Sequence, residues 1–187
     1  MDWILFLKQY VKKPTTVGAL LPSSEHLAEK MIENINFKQA NCIVEYGPGT
    51  GVFTEKLVKN RISGTKIILI EYNLNFYKIL VNKYRNEKDI YIINDSAENI
   101  DIYLKTHNLS KVDYIVSGLP FASLSKEVSR NILNTTRTVL NKDGKFITFQ
   151  YTLLKKSFIN QFFSKISIKR ELLNLPPAYV FCCSNQV

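Results

Sequence analysis

The sequence predicts a doubly wound α/β fold built on a seven-stranded, mostly parallel sheet. Four short runs rich in Ile, Val and Tyr, at 42–47, 66–72, 90–95 and 112–118, are almost continuously apolar. Strands buried on both faces of a parallel sheet have this character. Helical apolar spacing recurs between these runs, and strands alternating with helices are typical of doubly wound sheets.

The remaining elements follow in order along the chain. Apolar residues at helical spacing predict helices over 52–60, 74–85 and 124–140, and the last of these ends at a turn over 141–145. A fifth strand is expected over 145–152, followed by a helical stretch over 153–163. Two closing strands, 164–172 and 178–184, have no convincing helix between them, which predicts an antiparallel strand inserted at one edge of the sheet.

Composition and charge limit the possible functions. The 187 residues are 45% hydrophobic and 22% charged, which is typical of one soluble domain with a proper core. No apolar run approaches the roughly 20 residues of a membrane span, and the apolar start lacks the basic leader of a signal peptide. The net charge of +9 favours a polyanionic partner, either nucleic acid or the anionic surface of a bilayer.

The three cysteines predict neither disulfides nor a metal site. Cys42, Cys182 and Cys183 are odd in number, and two of them are adjacent. Buried reduced thiols in a cytosolic protein are the simpler interpretation.

A glycine-rich segment between a strand and a helix is the strongest functional signal. In "VEYGPGTGVFTE", residues 44–55, Gly47, Gly49 and Gly51 separate a buried strand from an amphipathic helix. Glycines in this position permit a tight turn and allow backbone N–H groups to approach a ligand closely. The segment therefore predicts a nucleotide-like binding loop.

Acidic residues follow the next two strands. Glu71 lies about 20 residues beyond the loop, the spacing at which a carboxylate reaches ribose hydroxyls. Asp95 ends the third strand and is placed to accept a hydrogen bond from an adenine amino group, with Ser96 and Ala97 against the ring. Either acid alone is equally well explained as a strand-end or capping residue. Their convergence at the carboxyl edge of one sheet, where open α/β folds bind ligands, favours a site.

These motifs together resemble class I S-adenosylmethionine-dependent methyltransferases, with a Rossmann-like sheet. Glu-x-Gly-x-Gly-x-Gly, an acid after strand two and Asp-Ser-Ala after strand three carry the resemblance, which spans residues 41–183. It implies S-adenosylmethionine as cofactor. By analogy Glu45 lies near the methionine, the Gly47–Gly51 loop lies under the methionine and ribose, and Glu71 binds the ribose.

Three further segments resemble bacterial phospholipid N-methyltransferases, which methylate the headgroup amine of phosphatidylethanolamine. They are residues 6–31, the "SGLPF" loop after strand four, and "NLPPAYV" at 174–180. The same family is similar to rRNA adenine dimethyltransferases, whose loop reads Asn-Leu-Pro-Tyr. In those enzymes the Asn and a backbone carbonyl hold the exocyclic amine, and the aromatic residue stacks on a flipped base.

The resemblance implies that the "SGLPF" loop holds the acceptor amine. Its residues are Ser117, Gly118, Leu119, Pro120 and Phe121. Ser117 only partly replaces the Asn, and Gly118 is expected to leave more space, so backbone carbonyls aligned by Leu119 and Pro120 should hold the amine. A bulkier residue at Gly118 is then expected to abolish turnover and to leave cofactor binding nearly intact. His26, Tyr46 and Glu45 are candidate bases by type, but nothing assigns one.

The first residues favour a membrane over RNA. On a helical wheel of residues 1–13, Trp3, Phe6, Leu7 and Tyr10 fall on one face, opposite a face rich in lysine. Such a helix suits the interface of an anionic bilayer, although a helix packed on its own domain has the same pattern. We expect an N-terminal membrane and lid segment over 1–35, in which Ser23 or Ser24 caps the next helix, and a methyltransferase domain over 36–187.

Three functional classes remain at this stage. The favoured one is a phospholipid N-methyltransferase, cytoplasmic and peripherally associated with the inner face of the cell membrane. The alternative is an rRNA adenine N6-methyltransferase. Those enzymes carry a helical C-terminal domain that binds rRNA, whereas this chain ends with its last predicted strand and has no recognisable RNA module. The third class is a domain that binds S-adenosylmethionine or membrane without turnover. A small amine as acceptor, the number of methyl groups transferred and the oligomeric state stay open.

Overall fold

The computed structural model describes residues 24–185, which form a seven-stranded sheet covered by helices on both faces. The predicted amphipathic helix over 1–13 and the start of the lid segment lie outside the described residues. The boundary near residue 35 stays a prediction. No helix within 24–185 is both long enough and apolar enough to span a bilayer.

The elements alternate as the sequence predicts. The helices are α1 Glu25–Ile32, α2 Val52–Asn60, α3 Leu74–Tyr84, α4 Ile100–Thr106, α5 Lys126–Val139 and α6 Lys156–Ile159. The strands are β1 Cys42–Tyr46, β2 Lys66–Ile70, β3 Ile90–Ile93, β4 Val112–Ser117, β5 Leu140–Gln150, β6 Lys165–Glu171 and β7 Ala178–Ser184. A short 3-10 turn at Ala97–Asn99 precedes α4.

The strand order is β3-β2-β1-β4-β5-β7-β6. The first five strands in this order run parallel to one another, and β7 is antiparallel to both β5 and β6. The antiparallel strand predicted at one edge is therefore confirmed. Because β7 reverses direction, the β6–β7 connection lies at the same edge of the sheet as the carboxyl ends of β4 and β5.

The sheet separates two apolar cores. One face packs against α1, α2 and α3, with Leu27, Leu57 and Leu80 fully buried. The other face packs against α4, α5 and the segment that contains α6, with Leu104 and Leu133 buried. Apolar residues alternate between the two faces along each parallel strand, which is why these strands read as continuous apolar runs.

Local sequence signals set the helix starts. The Ser24 hydroxyl accepts a hydrogen bond from the Leu27 N–H at 3.1 Å, so Ser24 is the cap of α1. Asn73 caps α3 and Ser125 caps α5 in the same way. Each cap satisfies a backbone N–H that has no partner within the helix.

Two predicted elements differ in extent. The helical stretch expected over 153–163 is helical only at Lys156–Ile159, because Phe162 and Phe163 turn into the core beyond it. The turn expected over 141–145 lies within β5, where the pairing with β4 shifts register between Val112 and Tyr114. Cys42 and Cys183 are buried as expected, whereas Cys182 is only partly buried.

Candidate functional site

The loops that carry the sequence motifs lie at one edge of the sheet. Tyr46, the last residue of β1, is paired with Ile70 of β2 on one side and with Ser117 of β4 on the other. Three neighbouring strands therefore end side by side, and they are followed by the glycine loop, Glu71 and the "SGLPF" loop. This convergence supports the predicted position of a site at the carboxyl edge.

The glycine loop forms an open cradle. Gly47, Gly49 and Gly51 all have left-handed backbone conformations, with φ of 62°, 58° and 87°. A Cβ at Gly49 would meet nothing within 4 Å, whereas a Cβ at Gly47 would lie 2.8 Å from Leu119 Cδ2. Gly49 thus borders free space, and L-residues rarely adopt its conformation. The loop leads into α2, whose first turn directs free backbone N–H groups outward.

Glu71 fixes the cradle from the neighbouring strand. Its Oε2 accepts a hydrogen bond from the Gly49 N–H at 2.9 Å, and its Oε1 accepts one from the Asn73 N–H at 2.7 Å. The side chain is buried, and this burial raises the pKa of Glu71 despite the two hydrogen bonds. Each carboxylate oxygen retains a lone pair, so the group still has capacity for hydroxyl donors.

Asp95 is engaged mainly with its own loop and α4. Its Oδ2 accepts hydrogen bonds from the Tyr103 hydroxyl at 2.6 Å and from Asn99 Nδ2 at 3.0 Å, and its Oδ1 accepts one from the Ser96 N–H. The Tyr103 hydrogen bond is the main cause that lowers the pKa of Asp95. Ala97 is buried and belongs to the apolar core beneath this loop.

Glu45 is a fully buried carboxyl group beneath the cradle. Its Oε2 accepts a hydrogen bond from the Thr54 hydroxyl at 2.7 Å, while no described residue donates to its Oε1. Burial, opposed by the Thr54 hydrogen bond and reinforced by the charge of Glu71, raises the pKa of Glu45 to about 8. The group is therefore mostly protonated at neutral pH. An unpaired buried carboxyl oxygen is unusual, and a bound ligand or an ordered water is a common partner for such a group.

Ser117 and Gly118 are packed against the glycine loop. The Gly118 N–H donates to the Tyr46 carbonyl, and a Cβ at Gly118 would lie 2.7 Å from the Gly47 carbonyl oxygen. The extra space expected beside Gly118 is therefore filled by the glycine loop. The Ser117 hydroxyl is buried and accepts the Leu119 N–H at 3.2 Å.

That backbone carbonyls aligned by Leu119 and Pro120 hold the amine stays a prediction, but the carbonyls of Leu119 and Pro120 themselves are already occupied. The Leu119 carbonyl accepts hydrogen bonds from the Phe121 N–H and from Gln150 Nε2, and the Pro120 carbonyl accepts two backbone N–H groups. A carbonyl oxygen has two lone pairs, so both are saturated. Within residues 24–185 no group donates to the Gly118 carbonyl, which leaves it as the available acceptor.

Phe121 does not face the site. Its ring is completely buried and meets Phe146 edge to face at 6.2 Å, within the core under β4 and β5. An aromatic ring that stacks on an acceptor must be accessible to it. Phe121 therefore supports the loop from the core side, which corrects its assignment to the acceptor site.

Several supporting residues escaped the sequence analysis. Thr148 donates to the Ser117 carbonyl at 3.3 Å, and Gln150 reaches the Leu119 carbonyl at the same distance. Both are buried polar residues in β5, next to β4. The signal was present in "FITFQ", where polar side chains at alternate positions interrupt an apolar strand. Tyr103 donates to Asp95 and Thr54 donates to Glu45. Neither has a comparable signal, because a single hydroxyl residue in an amphipathic helix does not stand out.

The candidate bases differ sharply in environment. Tyr46 is fully buried, accepts a hydrogen bond from Thr136 in the core, and has its pKa raised by burial. His26 is exposed on α1. Because Tyr46 is confined to the core and Glu45 is mostly protonated at neutral pH, neither is suited to take a proton from an amine.

Comparison with known proteins identifies the family. Residues 19–173 match the model of the ribosomal RNA adenine dimethylase family. An ornithine lipid N-methyltransferase of Singulisphaera acidiphila is 29% identical over 184 residues, which cover 97% of this chain and 95% of that protein. A ribosomal RNA small subunit methyltransferase A of Sulfurihydrogenibium sp. is 25% identical over 182 residues, covering 89% of this chain and 69% of that protein.

Solved structures share the fold at low sequence identity. A precorrin-6y C5,15-methyltransferase of Geobacter metallireducens superposes with a TM-score of 0.68 at 11% identity, covering 90% of this chain and 92% of that chain. A SAM-dependent methyltransferase of Aquifex aeolicus gives a TM-score of 0.64 at 15% identity, covering 83% and 88%. The fold is therefore the Rossmann-like fold of class I methyltransferases.

The family and the fold imply a methyl donor, and the site fits it. The open cradle at Gly49, the buried carboxylate of Glu71 and the unpaired Oε1 of Glu45 are what a nucleoside with an amino-acid tail requires. The chain belongs to the ribosomal RNA adenine dimethylase family and is an S-adenosylmethionine-dependent methyltransferase.

Proposed function

We propose that the protein methylates the primary amine of a membrane-lipid headgroup. The full-length alignment with the ornithine lipid N-methyltransferase carries this proposal. The chain is 29% identical to that protein over 184 residues, which cover 95% of it. The sequence motifs favour phosphatidylethanolamine as acceptor, and the aligned lipid enzyme adds the ornithine lipid amine as a second acceptor of the same chemistry.

The cofactor is assigned to the cradle. S-adenosylmethionine, when bound, supplies an electrophilic methyl group on a sulfonium. We assign Gly47, Gly49 and Gly51 to its backbone contacts and Glu71 to its ribose. Glu45 would offer its free oxygen near the amino-acid tail.

Asp95 remains the proposed partner of the adenine, together with Ser96 and Ala97. Three donors already use the Asp95 carboxylate, which leaves about one lone pair for a further donor. Because Ala97 is buried below the loop, its contribution is limited to the shape of the loop.

The acceptor amine is assigned to the Gly118 carbonyl. This oxygen lies on the loop that touches the Gly47 backbone, so an N–H of the amine bound there is held beside the cofactor cradle. Thr148 and Gln150 fix the two flanking carbonyls and prevent the loop from turning. The residues of the chain thus contribute mainly alignment, which is the principal requirement of a displacement between two bound groups.

The amine must be neutral to react, and solvent is the proposed destination of its proton. A carbonyl acceptor stabilises the N–H groups but removes no proton itself. Glu45 and Tyr46 are poor proton acceptors at neutral pH for the reasons given above. Activity should therefore rise with pH as the free amine becomes more abundant.

Access to a lipid headgroup requires association with a membrane surface. The net charge of +9 supports attraction to anionic lipids at the inner face of the cell membrane. We retain residues 1–13 as a proposed interfacial helix on the basis of their amphipathic sequence.

The decisive experiment offers the protein both acceptor classes. The full chain is incubated with S-adenosylmethionine labelled in its methyl group, and with either mixed vesicles or total rRNA. The vesicles contain phosphatidylethanolamine or ornithine lipid in an anionic background, with vesicles that lack a primary amine as the control. The proposal expects label in the amine-containing lipid and none above background in the RNA.

The alternative acceptor is an adenine of ribosomal RNA, which the family match and the ribosomal RNA relatives favour. Against it stands Ser117 in place of the Asn, with a hydroxyl that is already buried and bonded to the Leu119 N–H. Label in RNA but not in lipid would replace the lipid assignment with this one.

A further inference from the structure

The connection between β6 and β7 reverses the usual distribution of polar and apolar residues. In "ELLNL", residues 171–175, the polar residues Glu171 and Asn174 are buried, with exposures of 6% and 3%. Leu172, Leu173 and Leu175 are exposed by 63%, 68% and 71%. Single exposed leucines are common, but three within four positions, next to buried polar residues, are not.

The buried polar side chains hold this connection in place. Glu171 Oε1 accepts the Leu173 N–H at 2.8 Å, and Lys30 lies 3.7 Å from its other oxygen. Asn174 accepts the Ser24 N–H at 3.0 Å and donates to the Pro176 carbonyl at 2.7 Å. The buried polar residues therefore hold the backbone of the connection in place, and the leucine side chains point to the surface.

A second loop adds to the same apolar surface. Gln150 at the end of β5 pairs with Tyr179 at the start of β7, so the segment after β5 lies beside the β6–β7 connection. Leu153 and Leu154 in that segment are exposed by 45% and 84%. We call the five residues Leu153, Leu154, Leu172, Leu173 and Leu175 the leucine rim.

The leucine rim lies at the carboxyl edge of the sheet, on the same side as the "SGLPF" loop. β4 and β5 are parallel and adjacent, so both end at this edge. Lys155 and Lys156 follow Leu154 directly, and Lys156 is exposed. An apolar surface edged by lysine is complementary to a bilayer interface, where acyl chains lie under anionic headgroups.

We propose that the leucine rim is a membrane-docking surface that inserts its side chains into the interface of an anionic bilayer. The proposal rests on the proposed lipid acceptor and adds a contact within the described domain that is separate from residues 1–13. Insertion at this edge directs the acceptor loop toward the headgroups, because the loop after β4 and the leucine rim after β5 and β6 lie at the same edge of one sheet. A second copy of the chain and the chain's own residues 1–23 are the competing occupants.

The first test measures vesicle binding of the full chain. The variant Leu172→Ser/Leu173→Ser/Leu175→Ser alters exposed side chains only, and Ile79→Ser/Ile102→Ser, at residues exposed by 49% and 54% on other surfaces, is the matched control. Sedimentation with phosphatidylglycerol vesicles should show about a 100-fold weaker partition coefficient for the triple variant and less than about a twofold change for the control. Equal binding of the triple variant and the wild type overturns the proposal. Thermal unfolding of both variants checks that the fold is retained.

The second test reports the occupant of the leucine rim directly. Leu173→Trp is introduced together with Trp3→Phe, which removes the one natural tryptophan. Emission should be that of a solvated indole without vesicles and should shift to the blue on anionic vesicles. A blue-shifted emission before vesicles are added means that another occupant covers the leucine rim, and the proposal fails. Dependence of that shift on protein concentration identifies a second copy, and independence identifies residues 1–23.

Failure of docking and failure of the proposed function are distinguishable. A lipid with short, water-soluble chains offers the headgroup amine without a surface. The triple variant should methylate this substrate at the wild-type rate while losing activity on vesicles. If the wild type methylates neither lipid but binds vesicles through the leucine rim, the lipid acceptor is wrong and the docking surface stands. If the triple variant keeps full activity on vesicles, the docking surface is wrong.

Discussion

Gly118→Ala should weaken cofactor binding as well as turnover, because this glycine touches the cofactor loop. The new Cβ would lie 2.7 Å from the Gly47 carbonyl oxygen. Gly47 has little freedom to retreat, since its N–H donates to the Ile70 carbonyl at 2.9 Å and its own φ is left-handed. Overpacking of this kind costs about 1–3 kcal/mol. If the new Cβ displaces the Gly47 backbone and this cost falls on cofactor binding, the affinity for S-adenosylmethionine should fall by about 5- to 150-fold.

The assay compares two glycine variants by calorimetry and by urea unfolding. Gly64→Ala is the control, because Gly64 has a φ of 88° and a Cβ there would meet nothing within 4 Å. The control should lose about 1 kcal/mol of stability from its left-handed backbone and keep its cofactor affinity. Wild-type affinity in Gly118→Ala, together with lost turnover, would refute this reasoning and restore the view that Gly118 contacts only the acceptor.

Three further predictions concern the acids of the site. Glu71→Ala should weaken S-adenosylmethionine binding by about 10- to 150-fold, the cost of a charged hydrogen-bond acceptor, while Glu71→Gln keeps part of the affinity; calorimetry giving the wild-type value for the Ala variant would reject the ribose assignment. The folded-state pKa of Glu45, about 8, lies above its ordinary value of 4.5, so the free energy of unfolding should decline between these pH values and level off above them. The Glu45→Gln variant should lack this decline. The free energy of unfolding is measured by urea titration at several pH values, and the same decline in the variant as in the wild type would show that Glu45 does not cause it. Tyr103→Phe should raise the pKa of Asp95 toward its ordinary value, which an NMR titration measures, and no change would show that Tyr103 is not the main cause.

Local patterns predicted most of the fold. The strands β1 to β4 and the helices α2, α3 and α5 appear close to their predicted bounds, because buried parallel strands and amphipathic helices have strong periodic signals. The segment over 153–163 was mispredicted because Phe158, Phe162 and Phe163 have helical spacing but are placed by packing on the core. Tertiary packing therefore overrides a local helical pattern there.

The site could be predicted in position but not in its contacts. Glu71 and the glycine loop follow neighbouring parallel strands, so they lie at the same edge of the sheet. Their proximity follows from the topology and does not depend on side-chain contacts. The saturation of the Leu119 carbonyl by Gln150 depends on a side chain 31 positions away. The burial of Phe121 likewise depends on Phe146 in the next strand. Neither contact has a signature in the loop sequence itself.

The exposure of the leucine rim also depends on tertiary contacts that the local sequence does not reveal. The residues of "ELLNLPP" resemble the start of an apolar strand, and only the burial of Glu171 and Asn174 turns the leucines outward. That inversion depends on partners at Ser24 and Lys30, about 150 positions earlier in the chain. Ser24 and α1 hold the β6–β7 connection in place, and residues 1–13 precede them in the same chain. Two weak interfacial contacts in one chain increase the effective concentration of each at the bilayer. Loss of both should therefore weaken vesicle binding more than loss of either alone.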